Sequence, residues 1–461
     1  MNRKHSLALR PLRTRAWTRS ASAAALGFAA AASQAQTPAC PPPEYADLPI
    51  VNTGLPVVQI WTDGLAPVVD RENYVKACLR ITDGSAVRYG QGLYTGTLEI
   101  RGRGNTTWNM PKKGYRLKIG AATQILDMPA HKDWVLLANY ADKTLLRTNL
   151  AFELSRRAGM AWTPRMRHAD VYLNNEFLGS YQIGDRVEVG PQRVAITKMA
   201  TTDITAPAVE GGYFLQVEYA DRLLATDTWF ASNFYRFLME SPKETDVQPA
   251  QYTYISSYVQ SLENAIMARD FSANGVPKWL DVDTMVQYFL VQELLKNKDA
   301  AMGSSVYLYK DRGALLKMGP LWDFDISAGN IDFYPPAMQP EGWYLQGQTA
   351  WFEALLNTPA FKDRVKQRWG PFRASIGDIG AYLDGQAAML DGSQRANFQR
   401  WPILNTYVWP NQVVTGSYSG EVAWLKDWLN RRVAWMDREL GTGTPPPPPP
   451  PPPPPTPPPP P

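Results

Sequence analysis

The spacing of apolar residues changes half-way along the chain, and that change limits the fold more than any other feature of the sequence. In the first half the apolar residues sit in short runs with strand character: Val57 to Trp61, Val75 to Ile81, Leu93 to Ile100 and Tyr115 to Ile119. A hairpin is expected from Ala169 to Val189, turning at Asn174-Asn175. In the second half, residues 253–268, 283–297, 351–369 and 421–439 carry apolar residues at helical spacing, and Val286, Phe289, Leu290 and Leu294 form one stripe of the second of these. One helix interrupts the strands, from about Asp142 to Ala158, with Leu146, Leu150 and Leu154 on its buried line and Gly159 as its stop. A helical wheel sets Arg147 and Glu153 on either border of that buried line. The stretch from about Tyr45 to Leu440 holds no internal linker and no repeat, so an α+β fold is expected, strand-rich over about 45–220 and helix-rich over about 221–443. Its general outline is two lobes with a cleft between.

The two ends do not belong to that fold. Residues 1–35 hold Arg3, Lys4, Arg10, Arg13, Arg15 and Arg19 with no acid, then the Ala-rich run Ala21 to Ala32 and Ser33-Gln34-Ala35. This is the order of a cleavable secretory signal, and it predicts export to a periplasmic, cell-surface or extracellular place. The net charge of +4 includes those six cations, so the remainder is nearly neutral and gives no support for nucleic-acid binding. The apolar run is too short to span a bilayer and no later segment approaches the required length, so a transmembrane protein is not expected. Residues 444–461 are almost all proline, an extended rod about 50 Å long that suits a spacer toward a wall or surface. Cys40 and Cys78 are the two cysteines; after export they suit one disulfide, with two free thiols as the alternative.

The chemistry is concentrated between Asp281 and Asn330. A helix leads into Lys296-Asn297-Lys298-Asp299, a hairpin follows through Asp311-Arg312-Gly313, and Gly319-Pro320-Leu321-Trp322-Asp323-Phe324-Asp325 closes the segment. A loop carboxylate after a helix, a hairpin, and a second carboxylate followed by Phe is the order in which protein kinases place their catalytic-loop Asp and metal-binding Asp. Two positions depart from that order. Ser304 stands where kinases have Asn, five residues after the catalytic Asp, and Asp325 stands where they have Gly. Asp325 is a second hard oxygen ligand that can compensate, with Asn330 a further carboxamide donor. A phosphate site also needs cations, and Arg116 and Lys118 share one face of the strand Gly114 to Ile119. The turn Arg101-Gly102-Arg103-Gly104-Asn105-Thr106-Thr107-Trp108 matches no phosphate-binding glycine motif and reads alone as an ordinary turn.

Taken together these segments resemble the CotH family of atypical, spore-coat-type protein kinases. The resemblance rests on R-G-R-G-N-T-T-W-N-M-P-K-K-G-Y-R-L-K-I (101–119), D-W-V-L-L-A-N-Y-A-D-K-T-L-L-R-T-N-L-A-F-E-L (133–154), G-S-Y-Q-I-G-D-R-V (179–187), K-N-K-D-A-A-M-G-S-S-V-Y-L-Y-K-D (296–311) and G-P-L-W-D-F-D-I-S-A-G-N (319–330). It implies a kinase-like two-lobed domain over 36–443 that binds ATP with Mg²⁺, or Mn²⁺ in its place, and phosphorylates Ser or Thr of a protein substrate. On this resemblance Asp299 is the base, and Asp323 with Asp325 holds the metal. Lys118 contacts the phosphates, with Lys112 and Lys113 as rivals, and Glu153 pairs with that lysine. Arg116, Arg147 and Asp185 take general places around the nucleotide.

Other chemistries find little in the sequence. His131 and His168 are the only histidines after the leader, and the chain has no G-x-S-x-G, no H-E-x-x-H and no Cys set beside a His. Asp299 and Asp323 could also serve as the acid and base of a glycoside hydrolase. The rival of a different class is an exported scaffold with a kinase-like fold and no activity, since fold does not imply function.

Overall fold

A computed structural model describes Cys40, residues 49–243 and residues 245–441; the expected leader and the proline tail lie outside the described residues. The strand-rich half closes on itself. Strands β1 (Val57–Thr62), β2 (Val75–Thr82), β3 (Tyr94–Arg103), β4 (Gly114–Ile125), β5 (Met128–Leu137), β6 (Met166–Leu173) and β7 (Glu176–Asp185) form a barrel in the order β1-β2-β3-β4-β5-β7-β6. The parallel pairing of β1 with β6 shuts it, from Val57 opposite Asp170 to Ile60 opposite Leu173. Alternate residues fill the interior, among them Ile60, Leu79, Ile100, Leu117, Trp134, Val171 and Ile183, each at most 1% exposed. A small barrel packed this way leaves no room for a ligand inside, so a site must sit at one of its ends. The expected hairpin is β6–β7, with Asn174 and Asn175 both at positive φ, as its two-residue turn requires. Closure is the part of the architecture that the sequence reading did not contain. A disulfide joins Cys40 to Cys78 on β2.

Helix α1 (Arg147–Ala158) runs between β5 and β6. It starts five residues later than its apolar spacing suggests, because Asp142 holds the chain in a turn. The Asp142 carboxylate accepts from the backbone N–H groups of Thr144 and Arg147 and from the Arg147 guanidinium. Gly159, at φ 85°, ends the helix as expected.

A second, five-stranded sheet has the order β12-β11-β8-β10-β9. It is built from β8 (Tyr213–Val217), β9 (Trp229–Ala231), β10 (Arg236–Ser241), β11 (Val306–Lys310) and β12 (Lys317–Met318), so it joins strands from both sides of residue 220. Around it lie α2 (Pro249–Met267), α3 (Val276–Trp279), α4 (Val282–Leu295), α5 (Pro335–Met338), α6 (Ala350–Leu356), α7 (Pro359–Ser375), α8 (Ile379–Met389), α9 (Asp391–Arg400) and α10 (Tyr418–Leu440). The single helix expected over 351–369 is two, since Pro359 starts α7 at a position where it needs no N–H. No described helix is long and apolar enough to cross a membrane.

Helix α4 is the axis of this half. Eleven of its residues are buried, including polar Gln292 and Glu293, so it is covered on nearly every side. Glu293 and Arg432 of α10 are both fully buried and 2.6 Å apart. The remaining lone pairs of Glu293 accept from the N–H groups of Tyr344 and Leu345, and Arg432 donates to the carbonyls of Pro340 and Gly342. Breaking such a pair leaves a bare buried charge. Arg432→Met should therefore cost about 3–5 kcal/mol in urea unfolding. Adding Glu293→Gln should recover part of that loss; full additivity of the two losses would contradict the pairing.

Candidate active site

Two loops leave the ends of α4 and β12 and are laced to one another. The first follows Lys296, which caps α4 in the left-handed region at φ 43°. The Asn297 side-chain amide donates to the Asp323 carbonyl at 3.0 Å, the Lys298 N–H donates to the Ile326 carbonyl at 3.1 Å, and the Ala328 N–H donates to the Leu295 carbonyl at 2.6 Å. Asp323 itself sits at φ 65°, a conformation costly for a non-glycine residue and typical of functional positions. Its Oδ2 accepts from the Ser305 hydroxyl at 3.3 Å. By this lacing Asp299, Asp323 and Asp325 come to line one cavity of about 440 Å³.

The electrostatics of these carboxylates are unfavourable as they stand. Loss of hydration and then the negative charge of Asp323 push the Asp299 acid up to about 6, against the pull of Lys298 and Arg222. Asp325 is pushed well above the ordinary range, first by loss of hydration and then by Asp323, Asp299 and Asp142. Among the described residues no lysine or arginine lies within ion-pair distance of the three. Half-buried carboxylates facing one another without a cation form a set of hard oxygen donors, and a divalent ion such as Mg²⁺ fits it.

The barrel end supplies the opposite wall through Arg103 to Thr107, Lys112 and Leu137 to Ala141; α1 supplies Thr148 and Phe152, and Phe333 and Trp409 stand at the rim. Arg103 is the cation facing the acids. Its guanidinium lies 5.7 Å from the Trp322 ring centre, and although lost hydration lowers its pKa, the charges of Asp323 and Asp325 oppose that shift. The turn that carries it depends on glycine: Gly104 has φ 99°, and a Cβ on Gly102 would collide with the Trp108 ring. The segment that reads in sequence as an ordinary turn is thus a wall of the site.

The structure does not bring the remaining expected residues together as the resemblance implied. Lys118 and Arg116 do share a face of β4, but it is the outer face, because Tyr115, Leu117 and Ile119 fill the barrel. Lys118 lies 3.3 Å from Glu99, and Arg116 pairs with Asp133 at 3.1 Å. Glu153 does not pair with Lys118; it binds Arg156 and Arg157 of its own helix. Lys112 lines the cavity, yet its amine is turned into the protein, donating to the Ser180 carbonyl and to Asn397 Oδ1, and burial lowers its pKa to about 7. Lys113 donates to the Trp108 carbonyl. Asp185 is held by Arg165 and Arg193 and is not part of the cavity wall. Arg147 is buried against Asp142 at 2.6 Å and donates to the carbonyls of Ser327 and Ala328, so it braces the loop behind Asp325. Asn330 is likewise spent, its amide donating to the Asp325 carbonyl at 2.8 Å and its oxygen accepting from Asn411.

Sequence reasoning missed Glu218, Tyr219 and Arg222, which enter the cavity just after β8. They carry no motif, and only the pairing of β8 with β11 brings them to Asp299. A second cluster of ligand atoms, His131, Asp133 and Glu188, lies apart from the cavity. Arg116 already answers Asp133, and Arg186 and Arg193 answer Glu188, which makes it an ion-pair network and not a metal centre.

No curated protein matches the chain. A family model described as CotH kinase protein matches residues 100–436, a span that contains every wall of the cavity from Arg103 to Trp409. The chain belongs to the CotH kinase protein family.

Proposed function

We propose that the chain is an exported, Mg²⁺-dependent kinase, able to use Mn²⁺, that transfers the γ-phosphate of ATP to Ser or Thr of a protein substrate. The observation that carries this reading is the set of three carboxylates, none with a lysine or arginine at ion-pair distance, facing Arg103 across one cavity. Asp323 and Asp325 would hold the divalent ion, which supplies neutralisation of the phosphate charge. Arg103 takes the phosphate-contacting place expected of Lys118. Asp299 accepts the proton of the acceptor hydroxyl as its oxygen bonds to the γ-phosphorus and the bond to the β-phosphate oxygen breaks, releasing ADP. The order of strands, cavity and helices supports a kinase-like two-lobed arrangement. The Cys40–Cys78 disulfide supports work in an oxidising compartment, in keeping with the leader. A scaffold without activity would have no use for repelling carboxylates at a strained backbone position, which cost stability.

Incubation of the purified protein with Mg²⁺ and ATP labelled at the γ-phosphate should label the protein itself or a co-exported acceptor. Asp323→Ala should reduce labelling by at least about 100-fold, and Arg103→Ala by about tenfold or more. Lys118→Ala, on the outer barrel face, should leave it near the unsubstituted level. Equal labelling by the protein and Asp323→Ala would refute the assignment.

The pH dependence follows from Asp299. As a base it must be ionised, so kcat/KM should fall on the acid side, at or below about pH 6, since a divalent ion on Asp323 relieves part of the repulsion that raises Asp299. Stability has the opposite sign. The folded carboxyl binds its proton more tightly than the unfolded one, so the metal-free protein should lose stability as pH rises from about 4 to about 6, an effect that Asp299→Asn reduces and to which Asp325 also contributes. Thermal unfolding across that range checks it, and an unchanged slope in Asp299→Asn would contradict it.

A further inference from the structure

In protein kinases the residue five positions after the catalytic Asp is an Asn that holds a second metal ion. Ser304 occupies that position and is only 2% exposed. Its hydroxyl is already engaged, accepting from Arg222 Nη1 at 2.8 Å. Arg222 reaches this point from the segment that follows β8, and its location is fixed by its neighbours. Its guanidinium lies 3.6 Å from the buried Glu218 carboxylate and 5.1 Å from the Tyr219 ring centre. Glu218 in turn accepts from the Tyr219 N–H at 2.9 Å and the Gln216 amide at 2.8 Å. Tyr219 lies so close to Gly303 that a Cβ at that position would strike its hydroxyl, so the 218–222 segment is packed directly on the Asp299 loop.

Arg222 is half-buried, lines the cavity and favours the ionised form of Asp299. A permanent cation is therefore bonded to the side chain that stands, in sequence, where a kinase has the ligand of its second metal ion, and that ligand is here a serine. A guanidinium keeps its charge at any working pH and presents a planar fork of donors suited to phosphate oxygens.

We propose that Arg222 takes the place of the second metal ion: the nucleotide binds with one divalent ion at Asp323 and Asp325, and the Arg222 guanidinium donates to oxygens of the terminal phosphate. This rests on the kinase reading and adds to it a fixed metal stoichiometry and a residue that senses the third phosphate. Bracing of the Asp299 loop alone would require neither.

The test is direct binding to the whole protein, with no turnover. Mn²⁺ bound per non-hydrolysable ATP analogue, counted by electron paramagnetic resonance, should be one; two ions per bound nucleotide would overturn the proposal while leaving the kinase reading intact. Arg222→Ala should weaken the ATP analogue by about tenfold or more and ADP by much less, and Arg222→Lys should restore part of the preference. Equal weakening of both nucleotides, or of neither, would reduce Arg222 to a brace and overturn the proposal. Arg222→Ala with Ser304→Asn should gain a second Mn²⁺ site. A wild-type protein that binds no nucleotide at any Mn²⁺ concentration would overturn the proposal and the kinase reading together.

Discussion

Repulsion among three half-buried carboxylates is the constraint on which the rest of the structure depends. The charge of Asp323 raises the proton affinity of Asp299 and Asp325, Asp299 adds to the rise at Asp325, and the three meet no ion-pair partner among the described residues. Left to relax, such groups would turn toward water or draw in a lysine. They are held because each sits on a loop anchored by hydrogen bonds to the other loop or to α1. A site of this kind costs stability that the rest of the fold must offset.

The anchoring begins with α4. Because the helix is buried almost all round and fixed to α10 through Glu293 and Arg432, the loop that leaves its end has a definite origin. Asn297 and Lys298 tie that loop to the carbonyls of Asp323 and Ile326, while Arg147, neutralised by Asp142, holds the carbonyls of Ser327 and Ala328 from the side of α1. The barrel contributes differently. Its packed interior excludes ligand, so its contribution is an end wall, where the glycine turn presents Arg103 to the acids. Arg103 opposite and Arg222 beside Asp299 give the cavity two fixed cations facing its acids.

What was legible in the sequence was local. The acid residues were readable because Asp299, Asp323 and Asp325 lie within one segment whose loop, hairpin and loop order is continuous in the chain. The strands, α1 and the hairpin at Asn174-Asn175 were readable from spacing and turn residues. Barrel closure was not, since it depends on β1 meeting β6 about 110 residues away in the chain. The outward placement of Arg116 and Lys118 was hidden for a related reason. Alternation in β4 correctly grouped Arg116 with Lys118, but alternation alone does not say which face looks inward, and the packed barrel core settles it against them. Glu153 bordered the buried side of α1 as expected, yet Arg156 and Arg157, one turn further on, claim it. Glu218 and Arg222 carried no signal because only sheet pairing brings them to Asp299.

The central claim is that the carboxylate cluster is held against its own repulsion and is relieved by a cation. Asp325→Asn tests it without turnover, since the substitution removes one charge and keeps the side-chain shape. In metal-free buffer near pH 8 the variant should be more stable than the unsubstituted protein, by about 1–2 kcal/mol in chemical unfolding. Addition of Mg²⁺ with a non-hydrolysable ATP analogue should reverse the order, stabilising the unsubstituted protein and not the variant. A variant that is less stable than the unsubstituted protein in the absence of metal would show that Asp325 is satisfied as it stands, and would contradict the account.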